Sequence, residues 1–199
     1  MNFNYVQKFG YAEMYELNDP NQNIYGRFVT FDKDNPSKIK LVDSKVQKNE
    51  ILGVTTINFY GLSDNPLEWH EKYLHDDFGD TYMKEENIIK GKKDYDEVLE
   101  LSYMKTFKDT IYEPIINEKY DKDKKYNQRI DRYEWIAVTL IGKCIIQDDG
   151  SCKSGDWCTI YNGNNSDLFG TAKKCNGYSD IKYYVIDRVS DDTILINFK

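Results

Sequence analysis

The sequence predicts a mainly β fold: a compact antiparallel β-barrel or β-meander domain with two weakly repeated β-units and a long inserted hairpin region. Three observations lead there. β-branched and aromatic residues gather in short runs such as Gly26-Arg27-Phe28-Val29-Thr30-Phe31 and Ile51-Leu52-Gly53-Val54-Thr55-Thr56-Ile57. Turn residues separate these runs, as in Asn18-Asp19-Pro20-Asn21, Asp34-Asn35-Pro36-Ser37 and Ser63-Asp64-Asn65-Pro66. Finally, Gly155-Asp156-Trp157-Cys158-Thr159-Ile160 echoes Gly26 to Phe31, residue class for residue class. Gly170-Thr171-Ala172 stands where 38–41 stood, and Tyr183–Val189 stands where 51–57 did. Two related β-units about a pseudo-two-fold axis, with 58–132 inserted between them, would follow; chance similarity between two β-meanders competes with that reading.

In chain order, 1–9 reads as a polar tail or linker remnant, and 10–199 as a single domain. Strands are expected over 26–31, 38–42 and 51–57, where Gly53 marks a bulge or a close backbone approach. Residues 58–67 read as a loop. Residues 67–85 read as a hairpin turning at Asp76-Asp77-Phe78-Gly79-Asp80, 90–97 as exposed and turn-rich, and 98–106 as another strand. The mixed-charge stretch 117–131 reads as a solvated loop without function. The longest apolar run, 133–146, is too β-branched for a favoured helix and reads as a central strand pair or one bent strand. The chain closes in a hairpin, Tyr183–Val189 and Thr193–Phe198, turning at Ser190-Asp191-Asp192.

Composition narrows the partners. The 199 residues are 40% hydrophobic, enough for one sizeable core or two small ones. With a net charge of -7 and scattered basic residues, no strip for neutralising phosphates exists, which argues against nucleic acid. No apolar run approaches the roughly 18 to 20 residues of a membrane span, and the N-terminus lacks a signal-peptide core. Cys144, Cys152, Cys158 and Cys175 have no paired spacing, so reduced, mostly buried thiols are expected rather than a metal centre. His70 and His75 fall on opposite faces of a strand and do not suggest a metal pair. No glycine loop for a nucleotide occurs, and no cofactor is expected.

The strip Tyr11-Ala12-Glu13-Met14-Tyr15-Glu16 carries the one candidate for chemistry, the acids at 13 and 16. A pair of acids is common on solvated surfaces and becomes a site only when geometry converges. The strip belongs to an ordered series with Leu67-Glu68-Trp69-His70-Glu71-Lys72-Tyr73-Leu74-His75-Asp76-Asp77-Phe78-Gly79, Glu134-Trp135 and Asp148-Asp149-Gly150-Ser151-Cys152-Lys153-Ser154-Gly155-Asp156. Together these resemble the autoproteolytic intramolecular-chaperone domain at the C-terminus of phage neck-appendage and tail-spike proteins, a glutamic-type self-cleaving peptidase family. The resemblance runs over nearly the whole chain from Gly10.

The resemblance implies a module that nucleates trimer assembly of a fibre and then cuts its own chain at a Ser–Asp bond just upstream of the Tyr-Ala-Glu strip. It implies that the aspartate after the cut and the glutamate three residues on are tied to cleavage. Glu13 maps to that glutamate, and Phe9 and Gly10 map to the cleavage pair. Phe9 has no hydroxyl and Gly10 no acid, which leaves Glu13 without its local partner and Glu16 as a weak substitute. A cut there would release only the short peptide 1–9.

The expectation is a C-terminal assembly module of a viral fibre or spike that forms a homotrimer and aids folding, with self-cleavage lost and enzyme activity left open. The competing expectations are an active endopeptidase cutting near Phe9–Gly10 with Glu13 as general base, and a glycan- or capsid-protein-binding module using exposed aromatics. The implied partners are other copies of the chain and a fibrous viral protein or capsid component. The implied location is the virion or the host cytoplasm.

Overall fold

A computed structural model describes residues 8–46, 50–96, 101–177 and 182–198. Residues 1–7 of the expected tail and 98–100 of the expected strand lie outside them. The chain forms two compact units, one of 1–67 with 127–199 and one of 68–126.

The larger unit is one sheet of ten strands: β1 (Phe9–Leu17), β2 (Phe28–Phe31), β3 (Lys38–Leu41), β4 (Ile51–Thr56), β5 (Phe59–Ser63), β8 (Trp135–Gln147), β9 (Trp157–Ile160), β10 (Ala172–Lys174), β11 (Tyr183–Arg188) and β12 (Thr193–Phe198). Their order is β10-β9-β11-β12-β8-β4-β2-β3-β1-β5, with a further β8–β1 pairing that curls the first half back on itself. The expected β-rich domain is present, but the sheet as a whole is not a closed barrel: β8, β4, β2, β3 and β1 pair in a ring, and β5 on one side and β12, β11, β9 and β10 on the other extend from it. Nor is it wholly antiparallel, since β1 runs parallel to both β3 and β5.

The apolar run 133–146 supplies the spine as one bent strand. Up to Ile141, β8 pairs with β1, and from Gly142 onward it pairs with β12. Gly53 on β4 is both things its position suggested. A Cβ there would lie 2.3 Å from the Thr139 carbonyl oxygen, and the β2–β4 register shifts at the paired position Val29/Thr30.

The two echoed segments have the same connectivity. β2 is flanked by β3 and β4, and β9 by β10 and β11, all antiparallel. The Gly26 N–H donates to the Thr55 carbonyl and the Thr55 N–H to the Arg27 carbonyl; Gly155 and Val185 repeat this with Asp156. The main core joins both segments through a triangle of rings: Phe28 and Phe198 each lie 5.2 Å from Tyr183 and 6.4 Å from each other. Cys144, Cys152 and Cys158 are buried free thiols in that same core. Burial pushes the Cys144 thiol far above its ordinary value, which keeps it protonated and unreactive.

In the smaller unit, the turn expected at 76–80 forms and bridges His75 to Thr81. Beyond it, β6 (Met83–Asp96) and β7 (Leu101–Pro114) make a two-stranded ribbon in continuous register from Met83↔Pro114 to Asp96↔Leu101. Residues 90–96, expected to be turn-rich, are therefore strand. Their lysines and acids show no apolar alternation, and the strand is held by its ladder and by cross-strand pairs such as Lys90–Asp109. Trp69 stacks on Tyr120 at 6.3 Å. No helix among the described residues is long and apolar enough to cross a membrane.

Candidate functional site

The acidic-aromatic strip is a strand, and this fixes what its residues can do. Along β1, Ala12 and Met14 are buried on one face, while Tyr11, Glu13 and Tyr15 share the opposite, more accessible face, on which only Leu17 at the strand's end is buried. Glu13 lies three residues from Glu16, so the two acids point to opposite faces. Glu16 instead pairs with Lys38 at 2.8 Å, and the substitute role considered for it has no geometric basis.

Glu13 is held between two phenols. Its Oε1 accepts from the Tyr11 hydroxyl at 3.0 Å, and its Oε2 from the Tyr15 hydroxyl at 3.1 Å. The Tyr11 oxygen also lies 2.5 Å from Ser63 Oγ. Tyr11 has one proton, so it donates to Ser63 or to Glu13 at any one moment and not to both. The parallel β1–β5 pairing places Ser63 directly beside Glu13. Burial first, and then the Glu13 carboxylate, push the Tyr15 phenol up to about 12. Its ring meets Phe31 edge-on at 5.8 Å.

Beyond Ser63 the backbone turns sharply. Asp64 has φ 55°, the one non-glycine positive φ among the described residues. Arg129 holds it twice, by an ion pair with its carboxylate and by a 3.0 Å hydrogen bond from Nη1 to its carbonyl. The same guanidinium lies 4.1 Å from the Trp135 ring centroid. Asn65 fastens the segment further, accepting from the Ile130 N–H at 3.1 Å. A strained residue clamped next to a hydrogen-bonded acid is the kind of arrangement that collects at functional positions.

The expected cleavage pair sits elsewhere on the same strand. Phe9 opens β1 opposite Phe59, and Gly10 follows with φ 61°. A Cβ on Gly10 would lie 2.8 Å from Thr139 Cγ2 and 2.9 Å from the carbonyl oxygens of Ile141 and Lys143. Gly142 faces it, and its own Cβ would lie 2.9 Å from the Gly10 Cα. β1 thus crosses β8 glycine against glycine. Glu13 is three residues further on, about 10 Å along an extended strand. A general base needs hydrogen-bond reach of the reacting group, roughly 3 Å. The fold brings Glu13 together with Tyr11, Tyr15 and Ser63.

Residues 4–184 match the family described as Peptidase_G2, IMC autoproteolytic cleavage domain. The chain belongs to this family. It is 29% identical over 160 residues to the preneck appendage protein of Bacillus phage PZA, covering 79% of this chain but 16% of that protein. Among solved structures it is similar in fold to the pre-mature gene product 12 of bacteriophage phi29, with a TM-score of 0.61 and 20% identity over all of this chain and 23% of the other. The C-terminal fragment of the same phage protein matches with a TM-score of 0.60 and 19% identity, over 95% of this chain and 99% of the fragment. The chain therefore corresponds to a small part of the full-length appendage proteins and to nearly all of that fragment.

Sequence reasoning singled out Glu13 and missed its partners. Tyr11 and Tyr15 were legible in principle, because residues two apart share a face once the strip is known to be a strand. Ser63 was concealed in the stretch 58–67, read as a loop although it contains β5. Arg129 sat in the stretch 117–131, to which the sequence assigned no function.

Proposed function

We propose that this chain is the C-terminal assembly module of a viral fibre or spike, that it forms a homotrimer aiding the folding of that fibre, and that it does not cut itself. The observation that carries the last part is the Gly10–Gly142 crossing. The position where the resemblance implies an acid leaves no room for one, and Phe9 offers no hydroxyl. Family membership and similarity to phage appendage proteins support the assembly role and a place in the virion. The physical need is kinetic: non-local β pairing is slow and exposed to aggregation, and a compact module that holds the chains together raises their effective concentration.

One observation favours the second reading, an endopeptidase cutting at Phe9–Gly10 with Glu13 as general base. The Ser63–Tyr11–Glu13 line is an assembled path for a proton. Denaturing mass spectrometry together with native light scattering separates the two. Intact chains at three times the 23.5 kDa chain mass are expected. Loss of residues 1–9, abolished by Glu13→Gln, would establish cleavage instead, and a full-length monomer would count against both.

A further inference from the structure

A cavity of about 570 Å³ opens in the larger unit, where the segment after β3 meets the ends of β9 and β10. Small-molecule sites commonly enclose roughly 300–1,000 Å³. The floor is apolar: Val42 and Ile51 are core residues, and Val46 and Ile160 pack against that core. Above it the lining turns polar. Asp43, Asp149 and Ser151 come from the β3 and β8 ends, and Asn162 and Lys173 from the β9 and β10 ends, with Tyr161 among them.

The charges bear on what fits. Two carboxylates face two ammonium groups, and one of these, Lys174, is already paired with Asp156 at 2.9 Å. Lys173 donates to the neutral Asn162 side chain, which does not offset a charge. Asp43 accepts from the Lys45 N–H at 2.8 Å, and Asp149 from both the N–H and the hydroxyl of Ser151 at 3.1 and 2.5 Å, each aspartate through one oxygen. A carboxylate has more acceptor sites than these turns use. An anion would meet both aspartates, and a cation would meet Lys173. A hydroxyl needs a donor and an acceptor side by side, which the adjacent Lys173 and Asn162 side chains supply. The apolar face of a sugar ring suits an aliphatic floor with one aromatic ring beside it.

We propose that this cleft binds a neutral saccharide. The site is independent of the cleavage reading, since no residue of β1 lines it.

The test is a titration of the isotope-labelled full chain with glucose, galactose and N-acetylglucosamine in turn, followed by amide NMR. At least one of these sugars is expected to move the amides of Ser44, Ser151, Tyr161 and Lys173 in a saturable way. Lys173→Ala and Asn162→Ala should each weaken binding at least fivefold, while Lys173→Arg, which keeps the donor, retains it. Unchanged amide dispersion elsewhere shows that the variants are folded. Absence of saturable shifts with all three sugars overturns the proposal. So do shifts produced by inorganic phosphate alone, or sugar binding unaffected by either alanine variant.

Discussion

Replacing Gly10 by aspartate would supply the acid that the resemblance implies, and the structure predicts that the protein suffers for it. The backbone at Gly10 has φ 61°, where a side chain costs about 1–2 kcal/mol. The new Cβ would also press on Thr139 Cγ2 at 2.8 Å and on two backbone carbonyl oxygens at 2.9 Å. Backbone atoms of a central strand cannot swing away as a side-chain tip can, and overpacking of this kind costs roughly 1–3 kcal/mol. The combined loss is about 2–5 kcal/mol. With a urea dependence of about 2 kcal/mol per molar, the unfolding midpoint of Gly10→Asp should fall by roughly 1–2.5 M. Gly142→Ala on the facing strand should produce a loss of the same kind, because its Cβ would meet the Gly10 Cα at 2.9 Å. Chemical denaturation followed by tryptophan fluorescence measures both. A Gly10→Asp protein as stable as the parent would refute the argument that this crossing excludes an acid. Mass spectrometry of the same sample shows whether the added acid restores a cut.

Other perturbations test the rest of the network. Glu13→Gln removes the anion beside Tyr15, so the Tyr15 phenol should fall from about 12 while burial keeps it above its ordinary value; ultraviolet titration of tyrosinate reads this directly. The parent's stability should decline as pH rises from about 10 toward 12, because a raised phenol pKa means the folded state binds the proton more tightly, and Glu13→Gln should narrow that window. Arg129→Ala leaves Asp64 at positive φ without its clamp and uncovers one face of Trp135; a loss of about 1–3 kcal/mol and altered tryptophan emission are expected. Asp148 is fully buried, paired with Arg188 at 2.7 Å and accepting from the Cys152 N–H, so Asp148→Ala should destabilise by about 3–5 kcal/mol in thermal or urea unfolding. The hydrogen bond from Lys40 holds the Asp32 carboxyl below its ordinary value, so this contribution is present above pH about 4 and lost as pH falls further; Lys40→Met should flatten the acid limb of the stability profile.

The sequence by itself determined the β-rich class, because strand formation in β2, β4, β8, β11 and β12 follows from local runs of β-branched and aromatic residues between turn residues. It also exposed the echo of Gly26–Phe31 in Gly155–Ile160, since repeated units carry repeated residue classes. Glu13 was legible only as a residue in a recognised pattern. Tertiary structure decided its surroundings. β5 lacks a clear apolar alternation and exists because β1 lies alongside to pair with it in parallel, which is what puts Ser63 beside Glu13. Arg129 comes from 65 residues away in the chain to clamp Asp64. Whether Gly10 is a lost acid or a required glycine depends on how closely β8 passes, and the spacing of Thr139, Ile141 and Lys143 around it arises only when the two strands cross. Local preferences fix which segments extend; the separations that create or forbid a site are set by pairing between segments far apart in sequence.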